Sequence, residues 1–379
     1  MNARLVRLRD FDPVLFLAAL GLVGLGTLLI YSGSFSQFGS PSGLDFSHPV
    51  VRQATFAACG LLLALLFARI DYRVLGNVSI GLYVAVIAAL VFVLVEGEAA
   101  HGSRRWILIG DTPVQPSELA KLIVVIALAK YLADRQEQMG SLRVFLTSLA
   151  IAAVPAALVF AQPDLGSAVI FAAIWFGMAV VAGARWKHLL GLLGAAVVAI
   201  PFTFLGLVTD YQRERIALWL DPERDPLGAG FQALQAKIGI GSGGLFGKGL
   251  TEGSQTQLDF LRTETTDYVF SVLGEELGFV GALVLFALFV VLLWRVLRVA
   301  ELSRDMFGRL LATGMVIYIL LQTFINVGVN VGLLPVTGIP LPFVSQGGSS
   351  LIALLIGLGI LQSILLRHRP FTFRNFYGG

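Results

Sequence analysis

The sequence predicts an all-α polytopic membrane protein with ten transmembrane helices, and three observations carry that prediction. Hydrophobic residues make up 56% of the 379-residue chain and charged residues 13%, against roughly 45–50% and about 25% in an ordinary soluble domain. Ten apolar runs have the length that crosses a bilayer core. Lys and Arg are distributed unevenly between those runs. A soluble enzyme, a disordered chain and a disulfide-stapled secreted domain are thereby excluded. The net charge of +3 gives no argument for a nucleic-acid partner. The lone Cys59 can build neither a disulfide nor a cysteine metal site.

The runs lie at 13–32, 51–69, 74–95, 117–133, 144–162, 166–183, 187–208, 268–294, 306–330 and 348–366. The first has too long an apolar core for a cleavable signal peptide. With the N-terminus inside, 17 of the 27 Lys and Arg fall on inner segments, among them Arg4, Arg7, Arg9, Arg69, Arg73, Arg295, Arg369 and Arg374. Both termini are then cytoplasmic, in agreement with an even span count. Asp10, Asp12, Asp71, Asp134, Glu137, Glu301 and Asp305 are inner, and the other acids fall outside. The whole chain, 1–379, reads as a single transmembrane domain.

One long extracytoplasmic loop, 209–266, separates the seventh and eighth runs. A loop of this length in a compact chain is functional or disordered. Its Trp219, Phe231, Leu234 and Phe260 favour packing over disorder. Residues 229–240 suit a short amphipathic helix, and 241–249 an irregular turn. Gly239, Gly241 and Gly244 satisfy G-x-G-x-x-G, but no βαβ unit surrounds them, so a dinucleotide fold is rejected. Gly247-Lys248 resembles the end of a P-loop, with Ser242 and Gly249 in the wrong places. The remaining reading is a backbone nest or tight turn on the outer face, with Lys248 available for an anion.

Ionisable groups inside a span are costly and point to function or to tight pairing. Glu118 and Lys121, three apart on the fourth run, suit an intrahelical ion pair or the wall of an outward cavity. Glu275 and Glu276 lie two turns into the eighth run, about 12 Å beyond its start at 1.5 Å per residue. Asp267 stands at the mouth of that helix. It suits an N-cap, or a carboxylate general base at the membrane–water boundary. Asp164 stands in a tight turn between the fifth and sixth runs, where capping is the simpler role. Arg104-Arg105-Trp106 puts two arginines outside, against the charge rule, and an anionic partner accounts for them. Trp106 alone suits the interfacial belt. Pro335 to Ser350 is uncharged and rich in Pro and Gly; it suits a plain loop, or a re-entrant segment lining a cavity. Cations for a diphosphate, carboxylates for a hydroxyl proton and apolar helices for a lipid tail together describe a site for a polyprenyl-diphosphate sugar used outside the membrane.

The motifs resemble those of the SEDS family (shape, elongation, division and sporulation). Arg105-Trp106 followed by Gln115-Pro116-Ser117-Glu118 and Lys121 is similar to its RW…QPSE..K signature. Gln162-Pro163-Asp164-Leu165-Gly166-Ser167-Ala168 is similar to QPDLG(T/S)A. Tyr211-Gln212, Arg215, Asp225-Pro226 and Gly241-Ser242-Gly243-Gly244 with Gly247-Lys248-Gly249 resemble its long loop. Thr266-Asp267-Tyr268-Val269-Phe270 with Glu275-Glu276-Leu277-Gly278 resembles TDFIF…EELG. Leu341-Pro342-Phe343-Val344-Ser345 with Gly347-Gly348-Ser349-Ser350 resembles LPF(V/I)SYGGSS. The motifs run in order along essentially the whole chain, and Gln255-Thr256-Gln257-Leu258-Asp259-Phe260-Leu261 is closer to the RodA branch than to the FtsW branch. The chain departs from the pattern at Gln346 (usually Tyr), Thr265 (usually His), Arg262 (usually Pro) and Ala236 (usually Ser).

The resemblance implies a peptidoglycan glycosyltransferase of cell elongation, in the bacterial cytoplasmic membrane. It would polymerise lipid II on the outer face and release undecaprenyl diphosphate. It also implies a class B penicillin-binding protein as partner and, by carry-over, Asp267 as the catalytic acid–base residue. Arg105, Trp106, Glu118, Lys121, Asp164, Arg215, Lys248, Glu275 and Ser345 are the expected substrate-binding residues. Burial or nearby Glu275 is expected to raise the pKa of Asp267, and Arg105, Lys121, Arg215 and Lys248 to neutralise the leaving diphosphate. A divalent cation, Mg2+ or Mn2+, is expected without any visible ligand spacing, and no organic cofactor is expected. The alternatives are a lipid II flippase, a non-catalytic scaffold activating its partner, and a septal, FtsW-like role.

Overall fold

The computed structural model describes residues 11–368 apart from 42, 44, 101–102, 110–111, 207–209, 226–228, 259 and 261–264. Arg4, Arg7, Arg9, Asp10, Asp259, Leu261, Arg262, Arg369 and Arg374 of the sequence reading therefore lie outside the described residues. In chain order the elements are α1 (Pro13–Phe38), α2 (Pro49–Arg69), α3 (Tyr72–Glu96), β1 (Glu98–Ala100), β2 (Ser103–Ile109), β3 (Thr112–Val114), α4 (Pro116–Asp134), α5 (Leu142–Ala161), α6 (Leu165–Val181) and α7 (Trp186–Gly206). They continue with α8 (Asp210–Leu220), α9 (Ala229–Ser242), α10 (Ser254–Gln257), α11 (Val269–Leu302), α12 (Met306–Asn330) and α13 (Gly348–Leu365).

Helices α1–α7 and α11–α13 overlie the ten apolar runs. Among the described residues, α1, α2, α3, α5, α11, α12 and α13 are long and apolar enough to cross a membrane, while α6 and the first part of α7 are apolar but shorter. Helix α4 is interrupted chemically by Glu118, Lys121, Lys130 and Asp134. Helix starts follow from local sequence. Asp12 accepts from the Val14 and Leu15 amides with Pro13 behind it, Asp164 accepts from Ser167 N, and Asp305 from Gly308 N.

Small residues let the helices approach closely, as in membrane bundles generally. Helix α2 packs on α13, and α1 on α11. A Cβ on Gly60 of α2 would stand 2.5 Å from Leu355 of α13, and one on Gly359 would stand 2.3 Å from the Ala64 carbonyl. At one end of the bundle, Arg295 of α11 pairs with Asp12 (Nη2–Oδ2 2.6 Å), and Arg73 with Asp305 (3.0 Å). At the other end lie the antiparallel sheet β1-β2-β3 and helices α8–α10.

The sequence predicts an uninterrupted eighth helix; the structure corrects this. Helix α11 breaks at Gly278, whose φ of 65° and ψ of −159° belong to a region that L side chains hardly enter. The 243–249 turn fills the break. The Lys248 and Gly249 amides donate to the Glu275 and Glu276 carbonyls (2.9 and 3.1 Å), and the Phe279 and Val280 amides donate to the Gly244 and Leu245 carbonyls (both 3.0 Å). Backbone groups freed by the break are thus satisfied within the protein, as an apolar environment requires. A Cβ on Gly243 would stand 1.9 Å from the Gly274 carbonyl, and one on Gly247 2.1 Å from that of Glu276. Gly243 and Gly247 are there for backbone-to-backbone packing, and the amides of Lys248 and Gly249 are engaged with α11, which leaves the tight-turn reading and removes the anion-nest one.

The 335–350 segment follows the cavity-lining alternative. Leu341, Phe343 and Val344 are buried, and a Cβ on Gly26, midway along α1, would stand 2.3 Å from the Val344 carbonyl. The loop helix expected at 229–240 is α9. Helix α8 and the sheet were not anticipated.

Candidate active site beneath the loop

A cavity of about 770 Å³ opens beneath α8, α9 and β2, within the range of small-molecule sites. Arg105, Trp106, Glu118, Arg215 and Asp267 line it. Lys121, Asp164, Lys248, Glu275 and Ser345 do not, but several of them hold the residues that do.

Asp267 sits just before α11, and the three carbonyls around it are each held by another element. Gln346 N donates to Thr265 O (2.8 Å), Ser345 Oγ to Thr266 O, and Asn326 and Asn330 of α12 donate through Nδ2 to Asp267 O (3.1 and 2.8 Å). Asn330 Oδ1 also accepts from the Ser271 amide and hydroxyl (3.0 and 2.7 Å), fixing the first turn of α11. Ser345 is thus a clamp on the main chain, and its hydroxyl also accepts from Leu341 N at 2.8 Å. With the backbone fixed this way, the Asp267 carboxylate is pre-set toward the cavity.

Two arginines reach it. On β2, Arg105 Nε donates to the Gln162 carbonyl (3.0 Å) and Nη2 to that of Pro163. On α8, Arg215 Nη1 donates to the Val336 carbonyl at 2.8 Å. A Cβ on Gly338 would stand 3.8 Å from both Arg105 Nη1 and Asp267 Oδ2, so the guanidinium and the carboxylate converge over a glycine. Burial pushes the Asp267 carboxyl above its ordinary 3.8, against the pull of Arg215 and Arg105, and with a further push from Asp164. Asp164 is buried as the α6 cap and acts on Asp267 through its charge.

Glu275 does not line the cavity that Asp267 faces. It is 1% exposed and turned the other way, accepting from Lys248 Nζ (2.8 Å), the Gln255 and Thr256 amides (3.0 and 3.2 Å) and the Thr256 hydroxyl (3.1 Å). Glu276 accepts from Ser32 of α1 at 2.6 Å. Glu118 and Lys121 form the intrahelical pair (2.7 Å), 2% and 0% exposed. Tyr318 also donates to Glu118 (3.2 Å), and Lys121 to Gln322 (3.3 Å), whose Nε2 donates to the Pro340 carbonyl (2.8 Å). Glu118 therefore reaches the cavity while Lys121 stays behind it.

Sequence reasoning missed Lys237, Asn326 and Asn330. Lys237 lines the cavity from α9, lying across Gly332, where a Cβ would stand 2.0 Å from its Cε. Its place on the polar face of the expected loop helix was the available signal. Nothing in the sequence marks the two asparagines beyond their four-residue spacing on an apolar helix. Among the described residues, no group of three or more His, Cys, Asp or Glu stands together as a metal site.

The model of the FtsW, RodA and SpoVE cell cycle proteins matches residues 13–369. The chain belongs to this family. Among FtsW/RodA/SpoVE relatives, the peptidoglycan glycosyltransferase MrdB of Escherichia coli K12 is 40% identical over 357 residues, 93% of either chain. The stage V sporulation protein E of Bacillus subtilis is 38% identical over 93% of this chain and 96% of its own. A solved chain from a peptidoglycan synthase complex that coordinates polymerization and crosslinking superposes with a TM-score of 0.78 at 35% identity, covering 94% of this chain and 97% of that one. The Thermus thermophilus rod shape determining protein RodA gives 0.67 at 33%, covering 94% and 96%. These likenesses extend the SEDS resemblance of the motifs to the whole bundle.

Proposed function

We propose that this SEDS-family chain is a peptidoglycan glycosyltransferase that polymerises lipid II at the cavity beneath its long loop. The observation that carries the reading is the convergence of Asp267 with Arg105 and Arg215 on one pre-formed space. The Asp267 carboxylate accepts the proton of the acceptor sugar's 4-hydroxyl as its oxygen bonds to the donor's anomeric carbon. The bond from that carbon to the diphosphate breaks on the opposite face, the electron pair leaves with undecaprenyl diphosphate, and the centre inverts. Arg105 and Arg215 face the charge that develops on the leaving group. Lys237 adds a third cation on the far wall. Glu118 and Trp106 border the sugar, while Lys121, Asp164, Ser345, Lys248 and Glu275 hold the frame.

A divalent cation, Mg2+ or Mn2+, would be held on the protein side by Asp267, since Mg2+ is commonly bound through one or two carboxylates together with substrate phosphates. When bound it would supply additional positive charge at the diphosphate. Ten spans, both termini inside and the loop outside the bacterial cytoplasmic membrane are the topology we assign. The Lys and Arg distribution and the ten helices over the ten apolar runs support it. A class B penicillin-binding protein, supplying cross-linking, is the partner we assign. The likeness to a synthase complex and to MrdB and RodA supports it together with the elongation role.

The test is Asp267→Asn, assayed for glycan polymer from lipid II with folding and partner binding verified. Loss of about 10²- to 10⁴-fold in rate is expected for a removed general base. Near-normal polymer would end the assignment. Polymer made by purified wild-type protein without a membrane potential separates synthesis from lipid transport.

A further inference from the structure

At the rim of the cavity, Thr265 and Gln346 hold each other twice. The Gln346 amide donates to the Thr265 carbonyl at 2.8 Å, and Thr265 Oγ1 donates to Gln346 Oε1 at 2.9 Å. Both residues line the cavity, two positions from Asp267 in one case and beside Ser345 in the other. Both are departures from the family pattern, and the structure makes them partners. With its main chain and its Oε1 tied to a single residue, the Gln346 carboxamide is held with Oε1 on the Thr265 hydroxyl. Its Nε2 then faces away from Thr265. That nitrogen makes no hydrogen bond among the described residues, and Gln346 lines the cavity. A neutral carboxamide donor complements a neutral oxygen. The diphosphate already has cations in Arg105 and Arg215.

We propose that Gln346 Nε2 donates to a hydroxyl or acetamido oxygen of a sugar bound beside Asp267, and that Thr265 is the positioning residue that aims it. This rests on the glycosyltransferase reading of the cavity. No imidazole stands at position 265 here, so the sugar is held at this edge by a pinned amide.

The experiment measures kcat and KM for lipid II with the full chain bound to its partner. The variants are Gln346→Met, Thr265→Val, Thr265→Ser and the Thr265→Val/Gln346→Met double. Gln346→Met should raise KM about three- to ten-fold, the worth of one neutral hydrogen bond, with kcat within about two-fold. Thr265→Val should raise KM in the same direction, and Thr265→Ser, which keeps the hydroxyl, should restore it. The double variant should match Gln346→Met alone, because both changes act through one contact. An unchanged KM in Gln346→Met, equal KM in the Val and Ser variants, or additive losses would overturn the proposal. If Gln346→Met fails to fold, as judged by thermal melting, the Thr265 Val and Ser pair decides. An Asp267→Asn control keeps the two readings apart. If it is inactive while the Thr265 and Gln346 series is flat, only this inference fails; if it polymerises normally, the cavity reading fails.

Discussion

Gly278 and Gly247 meet backbone to backbone: a Cβ on Gly278 would lie 2.3 Å from the Gly247 nitrogen. Both have positive φ, 65° and 79°. The contact is what allows a loop turn to replace one turn of helix α11. Gly278→Ala would force a clash onto backbone that has no room to yield, on top of a strained conformation worth about 1–3 kcal/mol. The expected result is a lower melting temperature in detergent and loss of partner-independent folding. A variant that melts like wild type would show that the break is dispensable.

Lys248 is the only charged side chain meeting the buried Glu275 carboxylate among the described residues. Lys248→Met leaves that carboxylate with neutral donors alone. Uncompensated buried charges are destabilising by about 3–5 kcal/mol; Lys248 is 29% exposed, so solvent screening reduces the figure, and about 1–3 kcal/mol is expected. Glu275→Gln in the same chain should recover much of the loss. Activity per folded molecule should stay near wild type in the double variant. A selective rise in KM for lipid II would instead return Lys248 to the substrate.

The Glu118–Lys121 pair is more deeply enclosed. Glu118→Gln alone strands a cation at 0% exposure, with a loss of about 3–5 kcal/mol. Glu118→Gln with Lys121→Met should be far less damaging than the sum of the singles, in a double-mutant cycle read by thermal melting. Additive losses would separate the two residues energetically.

Asp267 gives a pH signature with a defined sign. Folding raises its pKa, chiefly through burial. Its contribution to stability is therefore complete below the unfolded pKa and is lost as pH rises through the folded one. Asp267→Asn should remove that decline. Activity runs the other way, because proton acceptance needs the ionised form. The acid limb of kcat/KM should lie above the ordinary carboxylate value, and Arg215→Gln, which deletes an opposing cation, should move it higher still. An unshifted limb in Arg215→Gln would mean that the guanidinium does not act on the carboxyl.

Much of this architecture was legible in the residues, because the bilayer restricts what a chain can do. Apolar runs of bilayer length become helices, as α1 and α12 do, and an amphipathic stretch in a polar loop becomes α9. Asp267 with Arg105 and Arg215 could be named from residue type and motif. What escaped depends on distant partners. The 34-residue α11 carries no sequence sign that Gly278 breaks it, because the cause lies some 30 residues earlier in the Gly243–Gly249 turn. Glu275 looked like a neighbour of Asp267 by spacing along one helix, yet its geometry belongs to α10 and Lys248. The sheet β1-β2-β3 is short and depends on cross-strand pairing that local patterning does not encode.

The main chain at 265–267 hangs from three separate suspensions: the 341–346 turn through Ser345 and Gln346, helix α12 through Asn326 and Asn330, and α11 through its first turn. The carboxylate rides on that main chain, with a hydrogen bond from its neighbour Thr266. Any load that rotates α12 or tilts the broken α11, even one applied at the opposite end of the bundle, arrives at the reacting oxygen as displacement. At that oxygen an ångström is worth about a hundred-fold in rate.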